Sequence, residues 1–134
     1  MSTPPRIYLL LPTWLFFAID VILTLSGQPE SYWASERETA VEANPLARIL
    51  LVRSPELFAG LAIIWALAFG LFVLRGRQPY AGWVAVVVGF AHAIGGTTWL
   101  SRWGAWGWVI AVSYLILASQ LARFCWKRAG FIGN

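Results

Sequence analysis

A chain of 134 residues that is 59% hydrophobic and only 12% charged, with a mean hydropathy of +0.66, carries too little charge to solvate a globular surface, for which about 25% is usual. This excludes an ordinary soluble enzyme and predicts a single lipid-embedded domain over residues 1–134. The net charge of +4 is accounted for by basic residues at span ends, and nothing beside it points to nucleic acid.

The first apolar run covers about residues 7–26 and carries one charge, Asp20. It is too long for the apolar region of a signal peptide, Asp20 interrupts it, and no small-x-small cleavage site follows, so it is read as a span. The next segment, 27–55, is the only sizeable loop. Asn44-Pro45 reads as an N-cap with proline at the first helical position. The amphipathic stretch Leu46 to Arg53 after it suits a short interfacial helix. Ser54-Pro55-Glu56 repeats the start signal and adds an acid in the first turn. The loop is therefore expected to fold as a cap over one end of the spans.

Further spans are expected at about 57–74, 79–101 and 103–122, since a transmembrane helix needs ~20 largely apolar residues and lipid forces the backbone to satisfy its own hydrogen bonds. Short turns at Arg75–Pro79 and Ser101–Gly104 make neighbouring spans antiparallel. The expected fold is all-α: four transmembrane helices in an antiparallel bundle, with a short interfacial helix in the first outer loop. Arg6, Arg75, Arg77, Arg123, Lys127 and Arg128 fall on one side, and Arg37, Arg48, Arg53 and Arg102 on the other. By the positive-inside rule both termini face the cytoplasm. The tryptophans near the span ends, Trp83, Trp99, Trp103, Trp106, Trp108 and Trp126, suit aromatic belts. The single cysteine, Cys125, excludes an internal disulfide; it reads as an interfacial thiol, or a palmitoylation site.

At 1.5 Å per residue, Asp20 lies ~20 Å up the first span and His92 ~18 Å up the third, while Ser113 and Tyr114 lie roughly 14–15 Å below the outer end of the fourth. All four share a level in a core ~30 Å thick. An ionisable group at that depth faces the bundle interior and takes a partner, so His92 is the expected partner of Asp20. Gly82, Gly89 and Gly96 form a small-residue stripe on the third span that permits close helix approach; Gly95 and Gly96 thin the helix beside His92, which leaves room for a ligand or water or serves close packing alone.

Asp20 and His92 are the candidate catalytic residues. Thr24, Asn44, Trp99 and Tyr114 are the candidate ligand-binding residues around them. If the loop folds back, Glu42 joins Asp20 and His92 as two carboxylates and an imidazole, a donor set for a divalent metal. The alternatives are a purely structural Asp–His pair and a solvated Glu42. A Ser113–His92–Asp20 triad is geometrically conceivable, but no turn exposes the serine.

Asp20-x-x-x-Thr24, followed by Glu42-x-Asn44-Pro45-Leu46, resembles a family of small prokaryotic four-helix membrane proteins. The likeness covers the first third of the chain and implies a fold type with no catalytic activity attached. Ala91-His92-x-x-Gly95-Gly96 is similar to the histidine helix of rhomboid proteases, yet the rhomboid Gly-x-Ser-Gly motif is missing. Three functions follow as expectations: an enzyme or binder with a polar pocket near the outer leaflet, a proton-linked transporter or channel subunit, and an accessory subunit of a membrane complex. Its expected partners are the bilayer and, for the latter two, a second copy or another membrane protein.

Overall fold

The computed structural model describes residues 6–131 and contains six α-helices, two short 3-10 turns and, among the described residues, no strand. The helices are α1 (Ile7–Ser26), α2 (Glu30–Trp33), α3 (Pro45–Arg53), α4 (Pro55–Arg75), α5 (Tyr80–Leu100) and α6 (Gly104–Arg128). Three helical stretches are long and apolar enough to cross a membrane: Ile7–Ser26, Pro55–Arg75 and the 49-residue run Tyr80–Arg128. The chain is thus a helical membrane protein. Its outer faces are apolar, with Ile63, Leu67, Val87 and Leu117 among the most exposed side chains, as expected where lipid is the solvent.

The long run would extend ~73 Å if straight, but it is folded back on itself. The 3-10 turn Ser101–Trp103 ends at Gly104, whose φ of 73° and ψ of −153° lie in a region that only glycine occupies readily. Beyond it α6 returns along α5, and the rings of Phe90 and Trp126 come within 5.6 Å. The helix ends differ modestly from the expected spans. α4 begins at Pro55 because the Ser54 hydroxyl accepts from the Leu57 N–H at 2.8 Å. α6 runs six residues beyond 122, to Arg128. Cys125 and Trp126 are buried there, and Lys127 and Arg128 favour the negative end of the helix dipole.

One apolar core joins the four long helices: Leu9, Leu10 and Phe16 of α1, Phe69 and Val73 of α4, Ala85 and Ala93 of α5, and Ala118, Ala122 and Trp126 of α6. Its most intimate seam is between α1 and α5. The Thr13 hydroxyl donates to the Ala85 carbonyl at 2.9 Å, Asp20 pairs with His92 at 2.9 Å, and Gly27 lies against the Trp99 ring. Each of these partners is 72 positions from the other (13 to 85, 20 to 92, 27 to 99), and the steps along each helix are seven residues. The two helices therefore run parallel, with the heptad repeat of left-handed helix packing. The buried Gly89 and Gly96 lie on the same face of α5; a Cβ at Gly89 would come 3.1 Å from the Thr13 hydroxyl.

The segment between α1 and α4 folds over the end of this assembly around a second core of Tyr32, Ala40, Leu51 and Phe58. Asn44 caps α3 by accepting from the N–H groups of Leu46 and Ala47 at 3.0 and 3.4 Å, as its sequence signal predicts. The strongest tie is one the sequence reading did not single out. The buried Gln28 amide donates to the Thr24 and Val41 carbonyls at 2.8 and 3.0 Å and accepts from the Val41 N–H at 2.8 Å. One side chain thereby satisfies the end of α1 and locks the returning loop to it. Tyr32 adds a hydroxyl bond to the Leu51 carbonyl at 3.0 Å.

Candidate functional site

Asp20 and His92 meet because the heptad seam places them at one level on parallel helices. His92 Nδ1 lies 2.9 Å from Asp20 Oδ2, and this is the sole ion-pair contact among the described residues. With a carboxylate as acceptor, Nδ1 carries the proton and Nε2 is left as the second functional atom of the ring. Gly95, one helical turn beyond His92, makes the pairing possible. A Cβ there would lie 2.6 and 2.7 Å from the two Asp20 carboxylate oxygens, so only a hydrogen leaves space for them.

The imidazole is walled by aromatic edges. Phe17 stands at 4.9 Å and 88° to it, and Trp65 of α4 at 5.5 Å and 70°. Trp65 is in turn stacked on Phe17 and on Phe69, each at 5.0 Å. This wall holds the ring by packing while Asp20 holds it by hydrogen bonding. Both members of the pair keep about a fifth to a quarter of their side-chain surface open, 20% for Asp20 and 24% for His92. They face a cleft.

That cleft has a volume of about 860 Å³ and lies between α1, α4 and α5 beneath the cap. Phe17, Asp20, Val21 and Thr24 line it from α1; Phe58, Leu61, Ala62 and Trp65 from α4; His92, Gly95, Thr98 and Trp99 from α5. Glu42, Asn44, Ala47 and Leu50 close the cap side. At its margin stand Ile64, Ile94 and Leu46, with relative exposures of 61%, 58% and 73%. The mouth between α4 and α5 is thus rimmed by apolar side chains that face outward.

The structure brings Asp20, Glu42, His92, Thr24, Asn44 and Trp99 to this one cleft. Thr24 is nevertheless buried, and Trp99 is clamped, with Gly27 on one side and the Arg102 guanidinium 4.1 Å from its ring centre. Tyr114 sits apart from the cleft: its ring makes an edge contact with Phe16 at 6.3 Å, and its hydroxyl is buried with no hydrogen-bond partner among the described residues. Glu42 is held by its own loop, accepting from the Asn44 N–H at 2.8 Å. Among the described residues no three of His, Cys, Asp and Glu are grouped closely enough to hold a metal. The three expected donors therefore share a cavity without forming a coordination set. Ser113 is exposed on the outer side of α6 and does not line the cleft, which removes the triad.

Phe17, Trp65 and Gln28 are the site and support residues that sequence reasoning passed over. Phe17 had a usable signal: it lies three residues before Asp20, on the same helical face. No family model matches the chain, and no curated protein or solved structure matches it either.

Proposed function

We propose that this protein crosses the membrane four times, through α1, α4, α5 and α6, with both termini on the cytoplasmic side and the cap at the outer leaflet, and that it binds a lipophilic small molecule in the cleft. One observation carries this reading: a cavity of about 860 Å³ whose walls are apolar except for a fixed carboxylate–imidazole pair and a few polar groups under the cap. Ligand sites of ≈ 300–1,000 Å³ are built in that way, with a mostly apolar lining and a small number of placed polar groups that set orientation. The apolar rim at Ile64 and Ile94 supports entry from lipid rather than from water. Exposed paired groups at the Asp20–His92 end give the bound molecule a polar anchor.

The proton-linked transport reading finds less support. Toward the other end of the α1–α5 seam Thr13 is fully buried and bonded to Ala85, and the neighbouring core is aliphatic and aromatic, so polar groups that could carry a proton onward are few among the described residues.

Contact quenching tests the binding reading. Trp65 and Trp99 line the cleft, and a chain-brominated dodecanol quenches tryptophan on contact. In phosphatidylcholine nanodiscs, a saturable quenching component is expected for the native protein, lost in Trp65→Phe/Trp99→Phe and reduced in Ala62→Phe, which fills the cleft. Quenching that rises linearly with bilayer mole fraction, the same in all three proteins, would refute it.

A further inference from the structure

The residues lining the cleft include two carboxylates, Asp20 and Glu42, one imidazole and no lysine or arginine, although the chain as a whole carries a net charge of +4. The charge of the site is therefore opposite to that of the protein around it. With His92 neutral the lining carries two negative charges, and with His92 protonated it still carries one. Both acids are fixed by short hydrogen bonds that use only part of their capacity. Asp20 engages His92 through Oδ2, leaving Oδ1, and Glu42 engages the Asn44 N–H through Oε1, leaving Oε2. A carboxylate is an acceptor with about four lone-pair sites, so both still call for donors.

We infer that, within the ligand-binding reading above on which this rests, the cleft selects a protonated long-chain amine: an ammonium head at the Asp20 carboxylate, with Glu42 adding negative charge from the cap side, and an apolar chain along Phe58, Leu61 and Trp65. An ammonium supplies three donors and no acceptor, which complements the free carboxylate oxygens. The apolar part of the lining takes the chain. An alkyl carboxylate meets like charge. A divalent cation lacks the grouped donors it would need among the described residues.

The test uses the full-length protein in phosphatidylcholine nanodiscs and three chain-brominated probes of equal length: dodecylamine, dodecanol and dodecanoate. Tryptophan quenching is compared at equal concentration in the bilayer, so that partitioning cancels. The amine is expected to saturate at a concentration about tenfold or more below the alcohol, equivalent to about 1.4 kcal/mol, with the carboxylate weakest. Glu42→Gln, which can still accept from the Asn44 N–H, and Asp20→Asn are each expected to reduce the preference for the amine over the alcohol several-fold. Saturable alcohol binding with no amine preference, or a preference untouched by both substitutions, overturns the charge inference and leaves the cleft reading standing. An absence of saturable quenching by all three probes overturns both.

Discussion

Gly95→Ala is the most direct probe of the Asp20–His92 pair, because it adds one methyl group and changes no polar atom. The new Cβ would stand 2.6 Å from Asp20 Oδ2, 2.7 Å from Oδ1 and 2.8 Å from Cγ, whereas an ordinary contact begins at 3.4 Å. The carboxylate must retreat by roughly 0.8 Å (3.4 less 2.6). A retreat of that size exceeds the working range of a hydrogen bond, roughly 2.7–3.2 Å between heavy atoms, so the 2.9 Å contact to His92 is expected to break. A bond to a charged group contributes about 1.5–3 kcal/mol. Replacing glycine by alanine inside a helix returns about 0.8–1.0 kcal/mol. The net expected destabilisation is about 0.5–2 kcal/mol.

Gly60→Ala is the matched control, since a Cβ there meets nothing within 4 Å and only the helix-forming gain remains. Unfolding in mixed detergent micelles measures the two variants against each other. His92 is the chain's one histidine, so the ¹⁵N signals of a single imidazole report the pair without assignment. Gly95→Ala should move both ring nitrogens and should be less stable than Gly60→Ala. Equal stabilities together with unmoved imidazole signals would show that Asp20 is not seated against Gly95, and the geometry of the site would have to be redrawn.

Further outcomes can be checked on the cap and the seam. Gln28→Leu leaves the Val41 N–H and carbonyl without their partner, at about 1–3 kcal/mol for each buried unpaired group; amide exchange over residues 28–44 should accelerate before that of α4 or α5. Asn44→Ala removes the cap of α3 and should destabilise that helix by about 1 kcal/mol, with Asn44→Ser restoring most of the loss; exchange at Leu46 and Ala47 reports it. Burial pushes the Tyr32 phenol above its ordinary value of 10.0, against the opposing pull of Arg37. The folded cap thus holds the phenolic proton more tightly than the unfolded chain does. Its stabilising effect is complete below pH 10 and is lost as pH rises through the folded value. Tyr32→Phe should weaken the cap at neutral pH by removing the bond to Leu51 while abolishing its extra loss of stability above pH 10, measured by cap-specific exchange or proteolysis.

The features legible in the sequence were those in which one residue type has one physical solution. Asn44-Pro45 and Ser54-Pro55 start helices because a short polar acceptor followed by proline fits the first turn of a helix and little else, and both caps are present. Asp20 and His92 could be placed at one level by counting residues, since a helix advances at a fixed rise and an ionisable group in lipid needs a partner. Helix faces were harder to read. In water, an apolar side chain reports which face of a helix is buried; in lipid, the outside is as apolar as the inside, and that signal vanishes. Ser113 and Tyr114 are adjacent and were given the same depth, yet one is exposed on α6 and the other is tucked against Phe16. Trp65 looked like part of an uninterrupted apolar run and is instead the wall behind His92.

Small residues partly replace the missing signal. Gly89 and Gly95 mark where another helix comes close, since a methyl group at either would press on its neighbour, whereas Gly60 of α4 faces open space. Gly89 and Gly95 face Thr13 and Asp20 respectively, and Gly27 of α1 faces Trp99 in return. Those approaches set the parallel seam, and the seam sets the depth at which the Asp20–His92 pair enters the cleft. The polar pair and the glycines are therefore one device: the heptad spacing that draws α1 and α5 together is also what holds a carboxylate against an imidazole in surroundings where either alone would be costly. Shifting the seam by a single residue on α5 would place Ala91 or Ala93 opposite Asp20 and leave the carboxylate unpaired, so the energetic demand of Asp20 fixes the register that the glycines permit.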